Sequence, residues 1–507
     1  MKLLLTTIKT DCNYTDYAMR YLYSVVDESP LDVEMKTYGR HELDGYIYED
    51  IIKGQYNIVY FHINAFNERQ VCNVIEMIKK AVPSTAVVVG GMQVSFDTSK
   101  FMRANPWVDY VIRGEGESVL FSFLKSVYEY EFDFEKIPGL AYRTDDQIIV
   151  NSYDDPVELD DLPFPYEKTD ADGSVIYYES MRGNAERLAY KAQIPDSRVR
   201  ALDVERVIRE LRYFLVKEPE RVVFFDSCFN FNSERAFKIF EYLINNDNNI
   251  TTFEFNISGE NLDDETIRLL SGARKGLFVF NVDVASTNAE VLAAVGRKEN
   301  IYQLMYNITK LLQCRKVRVN LSVTAGLPYE TEDLFARSFN KTFGLGEGSP
   351  LKIKMLRLAK GAQLRADADK YGYLYTSAAP YDVIVTDFMS AEDMIRVRTI
   401  GRVVDAFIGE GNFKESLPKI LTDTGIKPYD LFSGLTDYIY THGLAGKLGK
   451  PDEMARMLSA YARDLYVGFE DESKFDSLAD AIHTDLAETV SEDEIIRFES
   501  KGWEFEN

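Results

Sequence analysis

The chain has 507 residues and is short of several things, each of which excludes something. It holds four cysteines, Cys12, Cys72, Cys228 and Cys314, widely separated and none in a CxxC or CxxxCxxC spacing. Neither a disulfide framework nor a closely spaced thiolate metal site is expected from them. Histidine is equally scarce, at His41, His62, His442 and His483. No HExxH, Walker loop or GxSxG occurs, which removes the zincin, P-loop and nucleophile-elbow readings. Basic residues are outnumbered, 58 Lys and Arg against 82 Asp and Glu, for a net charge of -24. A surface that acidic repels phosphates, so nucleic acid and an anionic membrane are not expected partners. No run reaches the ~18 apolar residues of a membrane helix. The N-terminal KLLLTTI has no small-residue cleavage site after it and reads as a buried strand, so a cytoplasmic location is expected.

What is present is alternation. Strand-like runs begin at Lys2, Val33, Asn57, Thr85 and Asp109, with amphipathic helical patterns between them. Short apolar strands alternating with such helices predict a parallel sheet covered on both faces, a doubly wound Rossmann-like domain over residues 1–135. Residues 136–170 read as a hairpin, GLAYRTDDQIIVNSY, followed by the proline-bearing acidic linker PVELDDLPFPY. A second series has strands SVIYYES, RVVFFDSCF, TTFEFNIS, LFVFNVDVA, KVRVNLSVTAGL and LKIKMLRL. Six βα units suit a partial TIM-like barrel over 171–380. Residues 381–507 read as mainly helical. The fold class is therefore α/β, with a mainly helical C-terminal domain.

Gly90 and Gly91 end one strand, and RGEGE (Arg113–Glu117) joins the next strand to a helix. Glycines at that edge permit close backbone approach, and open α/β sheets bind ligands there. Taken together, GGMQVSFDTSKFMRANPWVDYVIRGEGE resembles the cobalamin-binding domain of cobalamin-dependent radical-SAM enzymes. That resemblance implies a corrin ring over the strand ends, near Asn64, Gly90, Gly91, Gln93, Val94, Gly114 and Glu115. The cobalt-ligating DxHxxG motif of some cobalamin proteins does not occur. His62 sits at a strand end and reads either as a structural residue or as one that reaches a ligand.

The resemblance continues through the second series. YYESMRG is similar to the first barrel strand of the same family, in which three cysteines of a CxxxCxxC loop hold a four-iron–four-sulfur cluster. Here the loop reads RGNAERLAYKA, and the three positions fall on Asn184, Leu188 and Lys191. Leucine has no lone pair, asparagine offers a neutral amide and lysine an ammonium, so the cluster is not expected. S-adenosylmethionine is implied by the resemblance, in a pocket formed by Ser258, Glu260, Asn281 and Asp283, with Asn230 nearby. The fourth strand departs from the family pattern at Asn281, Asp283 and Ala285, which counts against that cofactor. MLRLAKGAQLRADADKYGYLYTSAAPYDVIVTDFMSAEDMIRV is similar to the segment that leads into a C-terminal domain of unknown function in one branch of the family.

These readings leave three functions open. One is a degenerate relative acting as a cofactor-binding or partner subunit of a catalytic radical-SAM protein. Another is a cluster-independent enzyme, such as a cobalamin methyltransferase, with Lys191 as candidate base. The third is a cobalamin sensor or carrier. No resident metal site is predicted.

Overall fold

The structure, a computed structural model, describes residues 1–10, 15–27, 29–145, 147–153, 156–169, 171, 173–184, 188–192, 198–346, 348–466, 472–487 and 489–490. Cys12 and the loop positions Ala185, Glu186 and Arg187 lie outside the described residues.

The first sheet has seven strands: β1 (Lys2–Ile8), β2 (Asp32–Tyr38), β3 (Ile58–His62), β4 (Ala86–Gly90), β5 (Tyr110–Ile112), β6 (Leu140–Arg143) and β7 (Ile148–Val150). Their order is β2-β1-β3-β4-β5-β6-β7. The first five are parallel. Val87, Val88 and Val89 of β4 are all fully buried, because helices cover both faces. The helix Glu68–Ala81 buries Val71, Val74, Ile75 and Ile78, a stripe at helical spacing. On the other face the helix Gly116–Tyr128 buries Val119, Leu120, Phe123 and Leu124. Strand order reverses between β1 and β3, so the ligand edge expected of such a sheet lies at their C-terminal ends.

The hairpin expected within 136–170 does not stand apart. Its strands β6 and β7 add antiparallel to β5 and extend the first sheet to Val150. The reason is the open edge of β5, whose amides and carbonyls the hairpin satisfies.

The next strand, β8 (Val175–Tyr178), begins the second sheet and is followed by a two-residue pair, β9 (Met181–Arg182) and β10 (Arg200–Ala201). Then come β11 (Arg221–Phe224), β12 (Thr252–Asn256), β13 (Phe278–Ala285), β14 (Arg318–Ala325) and β15 (Leu351–Met355). The order β15-β14-β13-β12-β11-β8 is sequential and every pairing is parallel. Among the described residues β8 and β15 do not pair, so the barrel is open, as the six βα units predicted. Its core is aromatic: Phe224, Phe229 and Phe255 are buried together, with Phe224 and Phe255 ring centroids 4.3 Å apart.

A short antiparallel pair, β16 (Leu374–Tyr375) and β17 (Val383–Val385), precedes the helices Ala391–Ile408, Ser416–Thr424, Pro428–Thr441, Pro451–Tyr466 and Glu472–Ala487. They do not bury their apolar faces independently. Val397, Leu435 and Met457 belong to the same continuous core as the barrel strands. Among the described residues no helix is long and apolar enough to cross a membrane.

Just beyond β14, Glu330 is fully buried. The Ser286 hydroxyl donates to its Oε1 at 2.9 Å, while Oε2 has no partner. Burial pushes its pKa up from 4.5 to about 8, against the opposing hydrogen bonds from Ser286 and the Leu327 backbone. The folded value lies above the unfolded one, so the stability it contributes is present below pH 4.5 and is lost as pH rises through about 8. Glu330→Gln removes that titration. The melting temperature of the variant relative to the native chain is expected to climb steadily across this window, and a pH-independent difference would contradict the assignment.

Candidate functional site

Two strand edges face each other in this fold, the C-terminal ends of the first sheet and the mouth of the barrel. Between them lies a cluster of buried charge. Arg182 donates from Nη2 to Glu117 and to Glu179, both at 2.8 Å, and its Nη1 lies 3.3 Å from Glu115. Arg200 donates to both oxygens of Glu115, at 3.0 Å to the Oε2 that Arg182 also approaches. Glu115 and Glu117 open the helix after β5, whereas Glu179, Arg182 and Arg200 belong to the barrel. Burial would raise the Glu117 carboxyl, but Arg182 outweighs it and holds it below the ordinary carboxylate value. Glu179 is raised instead, because burial exceeds the attraction of Arg182.

The cluster sits at the start of the loop in which the sequence analysis located the three changed positions. Asp226, fully buried after β11, accepts from the Ser180 and Met181 amides at 2.8 and 3.0 Å and from the Ser180 hydroxyl. Burial raises its pKa to about 6, with Arg235 opposing. Gly183 follows at φ +105°, where a Cβ would lie 2.2 Å from the Arg198 carbonyl, so the turn requires glycine. The loop then enters the barrel mouth. Leu188 is buried with only 1% exposure, and the Lys191 amide donates to its carbonyl at 3.0 Å.

Leu188 and Lys191 line a cavity of about 370 Å³ with Ser258, Asn281, Asp283 and Arg297. The structure thus brings together Lys191 and three of the four residues expected for S-adenosylmethionine. Glu260 is not in its wall; its carbonyl accepts from the Asn307 amide at 3.2 Å. Asn230 acts as a clamp: its side-chain amide donates to the Ser258 carbonyl, and its Oδ1 accepts from the Ser258 amide, each at 2.8 Å. Ala285 is buried at φ +57°, beside a register shift in β13.

Asp283 is the hub of the cavity. It accepts from the Ser322 hydroxyl at 2.8 Å and the Tyr190 hydroxyl at 3.2 Å. Lys354 and Arg297 lie 3.5 and 3.7 Å from its oxygens. Burial would raise its carboxyl, but Lys354, Arg297, Ser322 and Lys191 together hold it below the ordinary value. Glu299 accepts from Arg297 and, at 2.8 Å, from the Ser258 hydroxyl. Sequence reasoning did not find Arg297, Glu299, Ser322, Lys354 or Tyr190. The GRKEN stretch was legible as charged, but nothing in it tells that Arg297 turns inward.

The donor set does not fit an iron–sulfur cluster. Cys228 is the one described thiol that lines this cavity, while Cys72 lies on the helix Glu68–Ala81 and Cys314 caps a barrel helix. Among the described residues no three His, Cys, Asp or Glu side chains are grouped to hold a metal ion.

At the first sheet's edge the expected cobalamin residues divide. A Cβ on Gly90 would lie 2.2 Å from the Tyr60 hydroxyl, and one on Gly91 (φ +108°) 2.4 Å from the Ile63 carbonyl, so internal packing already requires both glycines. Gly114, at φ +73°, donates its amide to Ser95 at 2.9 Å. Val94 points into the hydrophobic core. Gln93 is engaged by Glu68 and by the Tyr381 hydroxyl at 2.5 Å, and Glu115 by the two arginines. Asn64 accepts the Phe66 and Asn67 amides on Oδ1, yet its buried Nδ2 has no partner. His62 Nδ1 is likewise sealed and unpartnered, and burial lowers its pKa to about 4, so the ring is neutral. Two unsatisfied polar groups at the switch-point edge fit a ligand there.

Comparison with known proteins agrees with this layout. The B12 binding domain family matches residues 1–123, the Radical SAM superfamily residues 187–341, and a protein family of unknown function, DUF4080, residues 369–505. The chain is similar to the cobalamin-dependent radical SAM methyltransferase TokK of Streptomyces tokunonensis, 23% identical over 80% of this chain and 63% of that one. It is 21% identical to 2-(S-pantetheinyl)-carbapenam-3-carboxylate methyltransferase of Streptantibioticus cattleyicolor, over 61% of this chain and 48% of that one. The chain therefore spans less than two thirds of either curated relative. Among solved structures it resembles the cobalamin-dependent S-adenosylmethionine radical enzyme OxsB with aqua-cobalamin and S-adenosylmethionine bound (TM-score 0.63, 12% identity, 99% of this chain and 83% of that one). It also resembles the methyltransferase TsrM of Kitasatospora setae with cobalamin and a 4Fe-4S cluster bound (TM-score 0.61, 16% identity, 75% and 78%). At these identities the likeness is one of fold.

The interdomain charge cluster has a measurable consequence. Arg182→Met leaves Glu117 and Glu179 buried without their cation, and is expected to cost about 3 kcal/mol or more in denaturant unfolding. An unchanged midpoint would show that the cluster does not hold the two edges together.

Proposed function

We propose that this chain is a cluster-free member of the cobalamin-binding branch of the radical-SAM family that carries the DUF4080 region, a reading supported by the three matched regions. It binds cobalamin at the C-terminal edge of the first sheet and serves as a cofactor-binding or partner subunit of a catalytic relative. The observation that carries this reading is the barrel mouth. Where the family places three thiolates, Leu188 is packed into the core and Lys191 presents an ammonium to the cavity. A leucine in that wall offers no lone pair to iron. Reductive cleavage of S-adenosylmethionine needs an electron from that cluster, so radical initiation is not assigned to this chain.

The first domain retains a different capacity. His62 and Asn64 would meet the cofactor at the edge, with neutral, hydrogen-bond-hungry atoms in place of charge. Bound cobalamin supplies a cobalt centre able to carry a methyl group. The chain's own residues tie that edge to the segment around β16 and β17: Gln93 donates to the Tyr381 hydroxyl, and Lys360 donates to the Gln93 carbonyl at 3.2 Å. The polar hub at Asp283 favours one further reading, a cluster-independent methyl transfer in which the altered barrel residues position a substrate.

The test is a purification under anaerobic conditions in the presence of hydroxocobalamin, with corrin absorbance and iron measured on the same sample. Stoichiometric corrin with negligible iron is expected, and His62→Phe should weaken corrin retention about tenfold, or 1.4 kcal/mol, without lowering the melting temperature. Stoichiometric iron and sulfide would sink the cluster-free reading. Co-purification with a cysteine-bearing relative supports the partner role, whereas reductive cleavage of S-adenosylmethionine by the isolated chain defeats it.

A further inference from the structure

The cavity at the barrel mouth is unevenly charged. Among the described residues its walls carry three cations, Lys191, Arg297 and Lys354, and two carboxylates, Asp283 and Glu299. Both carboxylates are already committed. Asp283 is held by Ser322, Tyr190, Arg297 and Lys354, and Glu299 by Arg297 and Ser258. Lys191 is different: among the described residues no carboxylate lies within ion-pair distance of its ammonium, and Asp283 feels it only through space. A cation in the wall of a concave site, with the local acids occupied, leaves a net positive field in the cavity.

The remaining wall is mixed. Leu188, Phe225, Ile257 and Val282 supply hydrocarbon, while Asn256 and Asn281 supply amides. At about 370 Å³ the space lies at the small end of ligand pockets. S-adenosylmethionine carries a sulfonium and an ammonium against one carboxylate, and so brings net positive charge to a positive site. The residues that replaced the thiolates therefore select against the family's usual occupant in two ways: Leu188 fills space and Lys191 adds like charge.

Resting on the cluster-free reading above, we infer that this cavity is a binding site for a small organic anion with an apolar body. Its carboxylate or phosphate meets Lys191 and its hydrocarbon lies against Leu188 and Phe225. Asp283 positions the cationic rim and does not touch the anion, since like charges at that range repel. A lysine recognises carboxylate and phosphate alike as a point charge, so the shared chemistry is the anion.

The experiment uses the full chain and four probes of one shape: benzoate, phenyl phosphate, neutral benzamide and cationic benzamidine, titrated by calorimetry and saturation-transfer NMR. Benzoate or phenyl phosphate is expected to bind at least about tenfold more tightly than benzamide, and benzamidine not at all. The two anions tell a carboxylate site from a phosphate site. Lys191→Gln should erase the preference for the anions, Lys191→Arg should keep it, and Lys191→Glu should turn it towards benzamidine. Melting curves check that each variant is folded, and the three substitutions together keep the test open if one of them is not. Equal binding of all four probes, no binding of the anions at millimolar concentration, or an anion preference untouched by Lys191→Gln would overturn the inference. Iron is measured on the same sample. Iron-loaded protein defeats the cluster-free reading whatever the probes do, whereas iron-free protein that ignores both anions defeats the anion site alone.

Discussion

The arrangement of the two edges depends on one buried interaction, the guanidinium of Arg182 shared among Glu115, Glu117 and Glu179. Three carboxylates withdrawn from water are tolerable only because Arg182 and Arg200 sit among them. The charges come from different parts of the chain: two from the helix after β5, and the others from the first turn of the barrel and from β10. Each side would carry unpaired buried charge without the other, so the two edges have one favourable orientation and not a range. Such a cluster adds little net stability over an apolar contact of equal area. What it confers is register, because no sliding of one edge past the other keeps all these contacts.

The same residues lie at the entry of the loop that carries the altered positions. Asp226 and Gly183 shape the turn, and they do so with backbone contacts that are indifferent to whatever follows. Leu188 and Lys191 line the barrel mouth, where the cost of a wrong group is local. Leu188 is buried, and Lys191 lines the open cavity. Asp283, foreign to the family pattern at that position, is held ionised because Lys354 and Arg297 help to outweigh the cost of its burial. The barrel mouth holds a connected polar network around Asp283 and Glu299.

How much of this was legible without coordinates differs by level. Each of the expected strands of the first sheet and of the barrel is present, because an apolar run of four to eight residues between amphipathic helices has few other ways to bury itself. The family resemblance carried the order of the domains. The hairpin was read correctly as a hairpin and placed wrongly as a connection, since nothing in GLAYRTDDQIIVNSY states that β5 has a free edge. At the site, Ser258, Asn281, Asp283 and Lys191 were found because they occupy strand ends and a motif loop. Arg297, Glu299, Ser322 and Lys354 were not, because an inward or outward turn of a charged side chain depends on partners distant in sequence.

The sequence by itself determined the alternation of elements, the parallel sheets and the absence of three thiols from their loop, since these follow from local pattern and from the identity of atoms. Tertiary structure alone decided that Gln93 and Glu115 serve contacts between domains, that Glu260 is not part of the cavity wall, and that Lys191 stands in it with no carboxylate within ion-pair distance among the described residues. Those are questions of which groups meet across tens or hundreds of residues, and charge is felt in space, where chain separation counts for nothing.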